Sequence, residues 1–150
     1  MGLALATLAA TTACSGDSST APNTTSLAGV YALRQIEQTA LPVEVYRGPF
    51  YHEIDARQYT DFEVTLTGGT LQLDDAGAYH TTLNYKALKD GLEENSSLRG
   101  WGTYQIQGNR IILLRDNGFD GAEGTVSGSS ITLGIDVIGK GVVKPYTFVK

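Results

Sequence analysis

After Gly69 the chain alternates between apolar and polar residues, and turn-forming residues recur about every 8–12 positions, the period-two pattern of antiparallel strands. Successive side chains of a strand point to opposite faces, so the alternation assigns faces directly. Leu71 and Leu73 share one face of a strand over 70–73. Over 78–86, Tyr79, Thr81, Leu83 and Tyr85 take one face, and His80, Thr82, Asn84 and Lys86 take the other. Between these strands, Asp74-Asp75-Ala76-Gly77 predicts a hairpin loop with glycine at the left-handed position. A strand over 103–107 turns Tyr104 and Ile106 inward. Gly108-Asn109 then makes a two-residue turn into 110–115, where the unbroken run Ile111-Ile112-Leu113-Leu114 predicts burial on both faces. A strand over 124–126 leads through Ser127-Gly128-Ser129 into Ile131, Leu133 and Ile135, which alternate with Thr132, Gly134 and Asp136, and the last strand covers 146–149. Ahead of Gly69, a strand over 29–36 opens the domain, and Phe62-Glu63-Val64-Thr65-Leu66 runs into a turn at Gly68-Gly69.

Eight to ten short strands joined in sequence make an all-β antiparallel up-and-down meander, either a closed barrel or a two-sheet β-sandwich. Closure removes the unpaired edges that an open sheet must protect, which favours the barrel. With 18 glycines and 4 prolines the composition suits many tight turns, and 41 % apolar residues suit one core, so residues 26–150 read as a single domain. Several segments resemble small bacterial lipocalin-like lipoproteins across nearly the whole domain: Gly29-Val30-Tyr31-Ala32-Leu33 followed by Leu41-Pro42, the stretch from Gly69-Thr70-Leu71 through Ala76-Gly77-Ala78-Tyr79, and Gly102-Thr103-Tyr104-Gln105-Ile106-Gln107-Gly108-Asn109 with Gly124-Thr125-Val126-Ser127-Gly128. The resemblance implies a calycin-type barrel whose mouth takes a small apolar molecule. The connection over 43–61 is longer and more aromatic than that pattern.

The start of the chain has a different character. Gly2-Leu3-Ala4-Leu5-Ala6-Thr7-Leu8-Ala9-Ala10 has the length and small apolar character of a secretory core, and Thr11-Thr12-Ala13 places small residues before Cys14, the only cysteine. The order resembles a bacterial lipoprotein signal, which implies a signal peptide over 1–13 and a lipid on Cys14. An aliphatic residue usually stands where this chain has Thr11, and no basic residue precedes Arg34, which points to a true start further upstream. Residues 14–25 contain no large apolar side chain and read as a flexible tether. The expected location is therefore the cell envelope, with the membrane as partner through the anchor.

A formal net charge of −5, with the basic residues scattered, gives no surface for nucleic acid. The least strand-like segment is 46–59, where aromatics and charges mix. It reads as a lid or plug at the barrel mouth, with Tyr46, Phe50, Tyr51, His52 and Tyr59 as ligand contacts and Arg47, His52 and Arg57 available to orient a polar head group. Trp101, between two glycines, belongs either to the barrel floor or to a binding wall. A solvated histidine is the simpler reading of both His52 and His80, because zinc wants paired histidines at helical spacing, and no nucleophile–base set is legible. Asp116 to Glu123 holds oxygen ligands near a glycine but lacks the alternation of a calcium loop, so a hairpin explains it, and 86–99 reads as a longer hairpin loop carrying Glu93-Glu94. No metal, cofactor or catalytic residue is expected. The sequence points to a non-enzymatic binder of a small apolar or amphipathic molecule, or else to a filled barrel that contacts another envelope protein.

Overall fold

A computed structural model describes residues 26–53, 56–117 and 121–150. The leader, Cys14 and the tether lie outside the described residues, as does the centre of the 116–123 segment. Ten strands follow one another: β1 (Gly29–Ile36), β2 (Thr39–Ala40), β3 (Val43–His52), β4 (Arg57–Leu73), β5 (Ala78–Lys89), β6 (Leu92–Gln107), β7 (Arg110–Asn117), β8 (Glu123–Ser127), β9 (Ser130–Ile135) and β10 (Lys144–Val149).

All ten belong to one antiparallel sheet in the order β2-β1-β10-β9-β8-β7-β6-β5-β4-β3, and β1 also pairs with β4. That last pairing, from Gly29 opposite Leu73 to Ala32 opposite Thr70, closes β1 and β4 to β10 into an eight-stranded up-and-down barrel. The sandwich is thereby excluded. β4 runs for 17 residues because it serves two partners. Its last residues complete the barrel against β1, while its first half pairs with β3 from Leu66 opposite Val43 to Arg57 opposite His52.

The alternation assigned most faces as observed. Tyr79, Thr81 and Leu83 on β5 and Ile131, Leu133 and Ile135 on β9 are all buried; so are Tyr146 and Phe148 on β10, a strand expected from sequence without assigned faces. The outer face carries Gln72, His80, Asn84 and Arg99, so the apolar side is the interior, the reverse of a membrane-spanning barrel. Among the hairpins, Asp74 Oδ1 accepts the Ala78 N–H at 2.7 Å and Gly77 has φ +86°, as the loop chemistry predicts. Gly108 and Gly128 occupy positive φ in the other two short turns at the same end.

Six expectations need correction. Gly68-Gly69 is no turn: β4 continues through it with a bulge between Leu66 and Gly68, and a Cβ on Gly69 would lie 2.7 Å from the Thr82 carbonyl oxygen. The 43–61 connection is β3 and the start of β4, a hairpin rather than a plug. The 86–99 loop is the extended β5–β6 hairpin, turning tightly at Asp90-Gly91 with φ of 48° and 86°. The β7 run is buried on one face only, since Ile111 and Leu113 are inside while Leu114 is 43 % exposed. Ile106, placed inward by alternation, stands at the barrel rim and is 41 % exposed. The strands are also not uniformly short, because β4, β5 and β6 span 17, 12 and 16 residues.

Candidate ligand-binding site

The two ends of the barrel differ. At the end formed by the turns after β4, β6 and β8, the interior is packed by Tyr31, Leu71, Tyr79, Ile111, Leu113 and Phe148, each no more than 2 % exposed. The buried phenol of Tyr31 donates to the Leu27 carbonyl at 2.7 Å, and Lys150 Nζ donates to the Ala28 carbonyl at 2.6 Å beside it. At the opposite end, β3, the first half of β4, the second half of β5 and the start of β6 run on beyond the closed ring. Their inner faces enclose a cavity of about 280 Å3.

Each wall follows from strand parity. The inward row of β5 continues from Leu83 through Tyr85 and Ala87 to Lys89; β4 contributes Phe62, Val64 and Leu66; β3 contributes Phe50 and His52; and Leu98 comes from β6. Phe50 stacks on Phe62 with ring centroids 4.6 Å apart, and Tyr46 and Tyr59 each stand 6.0 Å from Phe62. The β3–β4 register shifts at Glu44/Tyr46, where β3 carries the extra residue, and at Gly48/Phe50, where β4 does; Tyr46, Phe50 and His52 share one parity of β3, and Tyr51 takes the other. The remaining wall is Val137 and Ile138, from the β9–β10 connection.

That connection is a built loop. Asp136 Oδ1 accepts the N–H groups of Ile138 at 3.2 Å and Gly139 at 2.9 Å, and Oδ2 accepts that of Gly141 at 2.5 Å. Gly139 and Gly141 hold φ of +70° and +78°, which L side chains resist. Lys140 Nζ lies 5.2 Å from the Phe50 ring centroid, a cation–π contact that ties the loop to β3. Behind Val137 and Ile138 lies a smaller cavity of about 60 Å3, reached also by Val45, Tyr46 and Tyr146. Burial, reinforced by the nearby charges of Asp136 and Glu37, pushes the Tyr146 phenol far up, so it stays neutral.

The polar groups of the main cavity are His52, the Tyr85 hydroxyl and Lys89. Glu94 receives a hydrogen bond from Lys89 Nζ at 2.7 Å and holds that ammonium above the ordinary lysine range, so it remains a cation. The chamber is thus mostly apolar, with polar side chains confined to a few positions of its wall, an arrangement compatible with a small ligand.

The structure brings together only some of the residues singled out from sequence. Phe50 and His52 line the main cavity, Tyr46 lines the smaller one, and Tyr59 is buried against Phe62. His52 is half-buried in this wall rather than solvated, whereas His80 is exposed as expected. Tyr51 points outward and is 49 % exposed. Trp101 is also on the outside, 41 % exposed opposite His80, because its inward neighbours are Gly100 and Gly102; it is neither floor nor inner wall. Arg47 pairs with Glu44 and Glu63 at the surface, and Arg57 lies over Tyr59 near Asp90. Sequence reasoning missed Lys89 and the cover at Val137 and Ile138. The Asp-Gly dipeptide at 90–91 would have extended β5 to Lys89, and the Gly-Lys-Gly of 139–141 marks the cover as a shaped loop.

The site sits in a closed antiparallel eight-stranded barrel of meander topology, a fold consistent with a lipocalin-like architecture. No protein-family model, curated protein or solved structure matches the chain.

Proposed function

We propose that this chain is a membrane-anchored, non-enzymatic lipocalin-like protein that binds a small apolar or amphipathic molecule at the cell envelope. The observation that carries the reading is the apolar cavity of about 280 Å3 held open at one end of a barrel whose other end is packed solid. A filled barrel needs no such chamber, and its volume is close to the lower bound for small-molecule sites. Its few polar side chains suit a ligand with one polar end. The proposed anchor agrees with this polarity. Ser26 donates to Asp75 in the β4–β5 turn, so the first described residue sits at the packed end, opposite the cavity, and a chain anchored through Cys14 is compatible with an unobstructed cavity mouth.

The test uses the full chain carrying Cys14→Ser, incubated with an envelope lipid extract and examined by native mass spectrometry. The expected result is one retained small molecule, lost when Leu98→Trp fills the chamber. A chain that retains nothing overturns the reading. A second reading, contact with another envelope protein, is favoured by one observation, the exposure of Trp101 and Leu114 on neighbouring outer strands. Capture of an envelope protein that Trp101→Ala abolishes, without uptake of any small molecule, supports that reading instead.

A further inference from the structure

We infer that Ile138, together with Val137, sets the length of ligand the barrel accepts by standing as a partition between the main cavity and the smaller one behind it. The inference rests on the binding function proposed above and adds to it a residue that decides specificity. Val137 and Ile138 are the two residues common to the linings of both chambers. On one side they face the Phe50 and Phe62 wall; on the other they face Val45, Tyr46 and Tyr146.

Their position is held by construction. The Asp136 carboxylate accepts the Ile138 N–H directly, and the two positive-φ glycines that follow carry the chain back over Phe50 through Lys140. The backbone of the partition is therefore fixed by polar contacts. Its side chains only occupy space, half-buried at the top of the barrel. Shortening the side chain at 138 opens the far chamber without touching those contacts, and enlarging it shortens the near one. Tyr46 and Tyr146 then become the end wall of a longer pocket.

The consequence is a length cut-off. Each methylene that finds apolar wall strengthens binding by about fourfold, and a methylene that meets the partition adds nothing or weakens it. The probe is the series of straight-chain alcohols from hexanol to dodecanol, titrated calorimetrically into the full chain carrying Cys14→Ser, alone and with Ile138→Ala or Ile138→Phe. In the parent, affinity should rise by about fourfold per carbon and then level off. The break should move to a longer alcohol in Ile138→Ala, with the alcohols beyond the parental break bound at least about fourfold tighter, and to a shorter one in Ile138→Phe. Binding with the same break in all three chains overturns the partition and leaves the binding function standing. Failure of every alcohol to bind any of the folded chains, with folding checked by near-ultraviolet circular dichroism, overturns the binding function and the partition with it.

Discussion

Thr81 is the one polar side chain in the buried core among the described residues, 3 % exposed between Tyr79 and Leu83 on the inward row of β5, and its hydroxyl has no hydrogen-bond partner there. A buried hydroxyl left unsatisfied carries a desolvation cost of about 1–3 kcal/mol, so Thr81→Val, which keeps the shape and removes the oxygen, should raise stability by about 1 kcal/mol in urea unfolding. An unchanged midpoint would mean the hydroxyl is satisfied in solution. Glycines act at the same scale through what they omit. Gly102 faces the core opposite Tyr79, and a Cβ there would run into the Leu114 carbonyl oxygen across the β6–β7 bulge. Gly102 thus lets β6 and β7 approach closely at the bulge, and the same parity sends Trp101 outward. Single-residue chemistry was legible where it concerned turns, as at Asp74 and Gly77. It was not legible for His52, whose half-burial depends on β3 being a strand.

At the scale of elements, the β5–β6 hairpin shows why alternation under-reads strands. Residues 92–97 are exposed on both faces, so no apolar period marks them. Their support is instead cross-strand pairing, with Lys86 bonded to Glu93 at 3.0 Å and Lys89 to Glu94 at 2.7 Å, and a tight Asp-Gly turn. Asp90 also fastens this tip to β4. Its Oδ1 accepts the N–H groups of Thr60 at 3.0 Å and Asp61 at 3.1 Å and the Thr60 hydroxyl at 3.2 Å. The Asp61 and Thr60 donors, in that order, hold its carboxyl below the usual aspartate range. A carboxyl lowered on folding adds stability above its unfolded pKa of about 3.9 and loses it as pH falls through the folded value. Asp90→Ala should therefore lower the protection factors of the Thr60 and Asp61 amides, taken relative to intrinsic exchange, at neutral pH, and the parent should lose the same protection only as pH falls through the lowered pKa of Asp90. Equal exchange in both proteins at neutral pH would show that the tip is held by the turn alone.

At the scale of the whole molecule, closure divides the barrel into a packed half and a hollow half, and mutation should separate them. Phe148 is fully buried in the packed half, so Phe148→Ala should cost about 3–5 kcal/mol, whereas Leu98 already borders open space and Leu98→Ala should cost less than about 1.5 kcal/mol, both read from denaturant midpoints. Similar losses would mean that the chamber collapses in solution. The amino-acid sequence by itself determined that the chain is all-β, roughly where most of its strands run, which residues of β5 and β9 face inward, and the glycine turns at 77, 108 and 128. These follow from period-two alternation and backbone preference, which act between residues close together along the chain. Only the tertiary structure decided that Gly29 to Ala32 close on Thr70 to Leu73, that β3 continues the wall past the ring, and that the loop at 136–143 covers the cavity. The closure and the cover join segments far apart in sequence, as Lys140 over Phe50 does, and whether a space between them is filled or left open depends on side-chain volumes meeting from several strands at once.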